Sequence, residues 1–241
     1  MASQKQMEAR DSGTLSAMAK VAVDRSGGEL EAFVGKRFVN DDLLKYIGDR
    51  APSVKRLCII SCKDVSNHGF EEAIKKVPLL EEHGLSLCPN IYERYVFETT
   101  GKSCPKLTRF RRSQNRIHRH EDSASFKDKE AMGIATMAGL RSLNLFGNTL
   151  TNGGLAAILD SCPHLETLDI RHCFNIIINM DYTLRAKCAG LKTLRFPEDR
   201  VDDYEFKDQL PIRWLWSREG SDYSIIDLTS DDDDYEYDYA N

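Results

Sequence analysis

"CPHLETLDIRHC", Cys162 to Cys173, places Leu165, Leu168 and Ile170 at the spacing L-x-x-L-x-L and closes on a cysteine. Upstream, "APSVKRLCIISC" carries Val54, Leu57, Ile59 and Cys62, and "VPLLEEHGLSLC" carries Leu80, His83, Leu85 and Cys88, so the segment is one copy of a repeated unit. Counted from the position of Pro163, the copies start at Pro52, Pro78, Pro105, Ala138, Pro163 and Ala189, with a weaker copy at Gly28 marked by Leu30, Phe33 and Phe38. The successive intervals from Gly28 are 24, 26, 27, 33, 25 and 26 residues. A period of roughly 20–29 residues built on this spacing is the signature of a leucine-rich repeat, one short strand and one helix per turn of a solenoid. The expected fold is therefore α/β: parallel strands on one side, helices on the other, in about six repeats over residues 21–206, above the minimum of about three.

The tenth position after each start reads Cys62, Cys88, Asn115, Asn148 and Cys173. A small polar side chain there satisfies backbone groups as the chain turns off the strand. Cys104, Cys162 and Cys188 precede repeat starts, at the expected ends of helices; Cys58 belongs to neither class. Seven cysteines without a secretory signal point to reduced thiols and to an intracellular location, cytoplasm or nucleus.

Helices are expected over 69–77, 95–103, 153–161 and 182–189, where apolar residues such as Leu155, Ile158 and Leu159 recur at helical spacing. Residues 1–20 are polar and aperiodic and read as a disordered leader. The interval of 33 contains a polar stretch, about 114–132, that reads as an inserted loop. In residues 207–220, "PIRWLWS" with Trp214 and Trp216 suits a cap over the open end of the solenoid. Residues 221–241 form a disordered acidic tail, and 219–241 hold nine acidic and no basic groups. Subtracting them from 38 acidic and 33 basic residues leaves 29 against 33, so the body carries about +4.

Two positions break the apolar pattern. His83 stands where leucine is expected, and Arg112 occupies the second inward position of its strand. An unpaired polar group in an apolar stack is costly, so the repeat holding Arg112 is expected to be the weakest, and Arg112→Leu to raise the melting temperature.

The Cys-Pro-x-Leu starts, the ladder cysteines and "MAGLRSLNLFGNTLTNGGLAAILDSCPHLETLDIRHCFN" resemble plant F-box/leucine-rich-repeat proteins of the cysteine-containing subtype, over residues 20–206. The resemblance implies a substrate receptor of an SCF ubiquitin ligase, in which an F-box docks a Skp-type adaptor and the repeats hold the protein to be ubiquitinated. The residues before Gly28 contain neither the proline nor the tryptophan of an F-box. The expectation is a chain lacking that element, a truncated isoform or a decoy paralogue that binds substrate without docking to the ligase.

Solenoid repeats place like positions along a line rather than around a point, and no GxxxxGK[ST], GxSxG, HExxH or CxxC occurs. No catalysis, cofactor or metal is expected. Alternation along a strand predicts that the fourth, sixth and eighth positions face outward, which selects Arg109, Arg111, Phe146, Asp169 and Arg171 as a partner-binding patch for a protein substrate. The basic run "RFRRSQNRIHRH" reads as a solvated loop edge, with a nuclear-import signal as the alternative and nucleic acid disfavoured by the acidic tail. In the tail, Ile225, Ile226, Asp227, Leu228 and Thr229 followed by Asp231–Asp234 resemble a SUMO-interacting motif, an extended segment suited to adding a strand to SUMO.

Overall fold

The computed structural model describes residues 4–114, 124–178 and 181–203. Among the described residues, seven parallel strands lie in sequence order in one sheet. They are β1 (Ala32–Lys36), β2 (Arg56–Ile60), β3 (Glu82–Ser86), β4 (Arg109–Ser113), β5 (Ser142–Asn144), β6 (Thr167–Asp169) and β7 (Thr193–Arg195). Each begins four residues after a start read from the sequence, Arg56 after Pro52 and Thr193 after Ala189, so the repeat phase holds from end to end.

The register aligns like with like. Phe33, Leu57, His83, Phe110, Leu143, Leu168 and Leu194 pair across the whole sheet, and Ile59, Leu85 and Arg112 form a second inward column. These columns meet the helices behind them: α2 (Asp41–Arg50), α3 (Asn67–Ile74), α4 (Arg94–Ser103), α6 (Lys129–Ile134), α7 (Asn152–Ser161) and α8 (Tyr182–Cys188). Their inner faces supply Leu43, Ile47, Phe70, Ile74, Phe97, Ile134, Leu155 and Ile158, all buried in one continuous core.

The chain leaves five of these seven strands, β1, β2, β3, β5 and β6, through a left-handed residue: Arg37, Ser61, Leu87, Gly147 and His172 have φ between 54° and 71°. Their N–H groups donate to carbonyls of the next repeat, as Ser61 does to Ser86 at 2.8 Å and Gly147 to Arg171 at 3.0 Å. The ladder residue follows at once. The Cys62 thiol donates to the Ile60 carbonyl at 3.2 Å, Cys88 to Ile59 at 3.5 Å, Cys173 to Leu145 at 2.6 Å, and the Asn148 side chain accepts from the Leu150 N–H at 2.9 Å. Small polar side chains are used here because each must reach a carbonyl or N–H inside a closely packed stack.

Three boundaries differ from the sequence reading. The leader is helical: α1 (Gln4–Arg25) takes in most of residues 1–20. Its sequence is free of proline and rich in helix formers, and its last turns meet the solenoid through Ala19 and Val23. The inserted loop of 114–132 is narrower, since the chain is helical again from α5 (Ala124–Lys127) into α6. Polar composition concealed that helix, because its Glu130 and Asp128 point inward to polar partners. The basic run is not all loop, as Arg109–Ser113 form β4 and Arg112 is fully buried. Asn115 and the rest of that run, the cap, the acidic tail and Ile225, Ile226, Asp227, Leu228 and Thr229 lie outside the described residues.

Candidate protein-binding face

Arg112 sits where its repeat expects leucine, 1% exposed. Its Nη2 lies 3.2 Å from Glu130 Oε1 and 2.5 Å from the Ile91 carbonyl, and Nη1 donates to Cys88 at 3.4 Å. Glu130 also accepts from Gln114 at 2.6 Å and from Asn148 at 3.0 Å. This polar cluster is interior, so it supports the face without contributing to it. His83 is likewise interior, stacked between Phe70 and Phe110 with ring centroids 5.2 and 5.6 Å away. Its Nδ1 lies 2.9 Å from the Leu57 carbonyl, while Nε2 is buried with no hydrogen-bond partner. Burial, partly offset by the Leu57 contact, lowers its pKa to about 4.

The outward fourth and sixth positions form the accessible rows of the sheet. The fourth row runs Ala32, Arg56, Glu82, Arg109, Ser142, Thr167, Thr193, and the sixth runs Val34, Cys58, Gly84, Arg111, Asn144, Asp169, Arg195. Of the five residues selected from sequence, Arg109 is exposed and Arg111 half-buried on adjacent outward positions of β4. The other three are buried. Phe146 stacks on His172 with centroids 4.8 Å apart. Arg171 Nη2 contacts Asp169 Oδ2 at 2.7 Å, its Nη1 reaches Asp203 Oδ1 at 2.5 Å, and Asn144 Nδ2 joins Asp169 at 2.9 Å.

The miss has a physical reason. The eighth column is buried from the second strand onward, at Ile60, Ser86, Ser113, Phe146 and Arg171, and only Lys36 of the end strand is exposed. The residue that follows the eighth position is left-handed at Ser61, Leu87, Gly147 and His172, so the backbone leaves the sheet plane there and strict alternation stops. β5 and β6 are also only three residues long, ending before their eighth position. Asp169 belongs to the sixth row but is drawn into the ion pair with Arg171. In exchange, the sequence reading passed over Val34, Lys36 and Arg195, exposed on the two end strands. The same offsets applied to the starts at Gly28 and Ala189 would have found them.

Among the described residues, one group has the spacing of a metal site, His68, Glu71 and Glu72 on α3. Lys75 Nζ already lies 3.0 Å from Glu71 and 2.9 Å from Glu72, so the carboxylates have a cation partner from their own helix. Six of the seven thiols are buried and Cys58 is partly exposed. Burial pushes Cys104 up to about 12 and Cys162 up to about 11, and raises Cys58, which leaves none of these three an activated nucleophile. No described helix is long and apolar enough to cross a membrane. What the arrangement offers is a sheet surface of fixed spacing, the geometry of a docking face.

A family model described as Leucine Rich repeat matches residues 140–159 and 161–173. F-box/LRR-repeat protein 22 of Arabidopsis thaliana is 40% identical over 230 residues, covering 92% of this chain and 71% of the relative. F-box protein SKIP19 of the same plant is 37% identical over 227 residues, covering 92% and 68%. F-box/LRR-repeat protein 23 is 41% identical over 190 residues, 78% of this chain and 41% of that longer relative. With identity of this level over most of its length, the chain belongs to the plant F-box/LRR-repeat protein family.

Proposed function

We propose that the chain is a non-catalytic substrate-binding module of an SCF-type ubiquitin ligase, which holds a target protein against the outward rows of its sheet for ubiquitination. The observation that carries this reading is family membership combined with an accessible parallel sheet whose outward side chains, Arg56, Arg109, Arg111, Ser142 and Thr167 among them, lie at regular strand spacing. Such a surface suits recognition, because adjacent strands lie about 4.8 Å apart and hold their side chains in fixed rows.

The test has two arms. The full chain is mixed with a Skp-type adaptor and cullin, and complex formation and ubiquitin transfer to co-purifying proteins are measured. Adaptor binding with transfer supports the ligase reading; target binding without adaptor binding assigns the chain as a decoy that sequesters the target. In the second arm, Ser142→Trp and Thr167→Trp block the face without changing charge, and undiminished target binding overturns the placement of the site. The segment Ile225–Thr229 is proposed as a SUMO contact, tested by titrating labelled SUMO with a peptide of residues 221–238. An Ile226→Ala, Leu228→Ala peptide that binds equally well defeats that assignment.

A further inference from the structure

The first strand of the sheet is also an open edge. β1 pairs with β2 and, among the described residues, with no strand on its other side. Which of its backbone groups face outward follows from the bonds at its two ends. The Arg37 N–H donates to the Ile60 carbonyl at 2.9 Å, and the Glu31 carbonyl accepts from the Arg56 N–H at 3.0 Å, so both residues face β2. Along a strand, successive residues turn their N–H and C=O groups to opposite sides. Phe33 and Gly35 therefore also face β2, and Ala32, Val34 and Lys36 turn their N–H and C=O groups to the open edge. The side chains of these three stand exposed on the outward face of the sheet, Val34 at 55%.

A bare edge is a template for another chain, and soluble proteins commonly blunt it with charge. Here the charges are sorted by sign. Glu29 and Glu31 stand before the strand and Lys36 and Arg37 at its end, all four exposed. Glu29, Lys36 and Arg37 have no ion-pair partner among the described residues, and Glu31 meets Lys55 in an exposed contact at 2.5 Å. Two copies laid parallel would set like charge on like. Laid antiparallel about Val34, they set Ala32 opposite Lys36 and Glu31 opposite Arg37 of the second copy, so acid meets base at both ends. The three edge-facing residues then fall opposite one another, each pair able to exchange two main-chain hydrogen bonds, with the two Val34 side chains in contact at the centre. A two-fold axis normal to the sheet also keeps both helix layers on one side. α1, which packs on α2 at this same end, leaves Leu15, Met18 and Val21 exposed, an apolar stripe in the layer where the second copy's α1 would stand.

We propose that the open edge of β1 is a self-association site, at which a second copy of this chain adds its own β1 antiparallel about Val34 and joins the two sheets into one. The contact uses the same residues on both copies, so it closes at a dimer. The outward rows of both copies then lie on one side of the joined sheet.

Sedimentation of the full chain over a range of concentrations is the measurement. The expected result is a mass that rises from one chain to two. Val34→Pro removes the N–H at the two-fold axis without touching a bond to β2, and proline is tolerated where an edge N–H faces solvent, so this variant stays folded and monomeric. Lys36→Glu with Arg37→Glu leaves acids at both ends of the edge, and Glu29→Lys with Glu31→Lys leaves bases at both ends. Each pair of changes weakens its own dimer by at least about tenfold, because like charges then face each other, while an equimolar mixture of the two variants forms a dimer of one of each. This mixing arm decides the question if Val34→Pro fails to fold. A mass that stays at one chain, a folded Val34→Pro variant that still dimerises, or a mixture that pairs no better than its components overturns the proposal.

Discussion

Arg112 and Glu130 form an ion pair inside the solenoid, Nη2 to Oε1 at 3.2 Å, with side chains 2% and 6% exposed. The arginine comes from a strand position that its neighbours fill with Ile59 and Leu85, and the glutamate from the helix that ends the long interval. Gln114, the residue after β4, also donates to Glu130. The pair thus ties the strand to the helix across the base of the insertion, and the guanidinium rests 5.9 Å from the Phe97 ring.

Arg112→Leu is therefore expected to destabilise the fold, reversing the effect that the strand pattern alone implies. Removing one partner of a buried ion pair costs about 3–5 kcal/mol, because Glu130 loses the Arg112 cation while staying buried, whereas replacing both by well-packed apolar residues is often near neutral. The double variant Arg112→Leu, Glu130→Leu should recover most of the loss in urea unfolding, with a large coupling energy in the cycle. Additive effects of the two single changes would mean that the pair contributes nothing.

What the sequence disclosed and what it concealed divide along a physical line. The repeat phase was legible because leucine spacing and ladder cysteines answer to nearest-neighbour stacking, which is local and periodic; hence Arg56 and Thr193 open strands where the pattern put them. Arg112 was placed correctly as inward, but its partner lies 18 residues on in a stretch whose polarity resembled a loop. Polar residues that satisfy one another look the same in sequence as polar residues that face water. Phe146 and Arg171 failed for a different reason: alternation predicts a side only while the backbone stays extended, and theirs turns one residue later, at Gly147 and His172.

Acid should weaken the fold within a defined window. Burial lowers the pKa of His83 to about 4, and burial followed by the charge of Arg171 lowers that of His172 to about 4, against 6.5 for the free side chain. The unfolded chain then binds more protons than the folded one between these values, so stability is complete above pH 6.5 and falls as the pH drops towards 4. For His83 the full effect is of the order of 3 kcal/mol. His83→Leu, which restores the pattern residue, should flatten the profile between pH 6.5 and 4 and raise the melting temperature at pH 5. A profile as steep as that of the unaltered chain would mean that His83 is not the titrating group.

Thiol modification should separate the cysteines by position. Cys58 alone is partly exposed, and the other six are buried in the ladder or beneath helix ends. A maleimide applied to the folded chain should label one equivalent, slowly, because burial raises the Cys58 thiol. All seven should react after unfolding. Cys58→Ser should abolish the native labelling; rapid modification of Cys62 or Cys173 in the folded protein would contradict the ladder.

Two aspartates bracket the start of the next helix, and each requires a glycine. Asp41 accepts from the Ser66 N–H at 2.8 Å and from its hydroxyl at 2.6 Å; Asp128 accepts from Thr151 in the same way at 2.6 and 2.7 Å. Ser66 and Thr151 in turn cap α3 and α7. A Cβ added at Gly69 would lie 2.0 Å from Asp41 Cγ, and one at Gly154 would lie 2.4 Å from Asp128 Oδ1. Replacing a helical glycine by alanine ordinarily stabilises by about 0.4–1 kcal/mol, and Gly13 of α1, with nothing within 4 Å of its Cβ position, should follow that rule. Gly69→Ala and Gly154→Ala should do the opposite, lowering stability by about 1–3 kcal/mol as the carboxylate is pushed off its cap. Asp128→Ala together with Gly154→Ala should lose less than the two single changes added, since the clash vanishes with the carboxylate. The measurement is the melting temperature of the set, and a Gly154→Ala variant as stable as Gly13→Ala would refute the bracket.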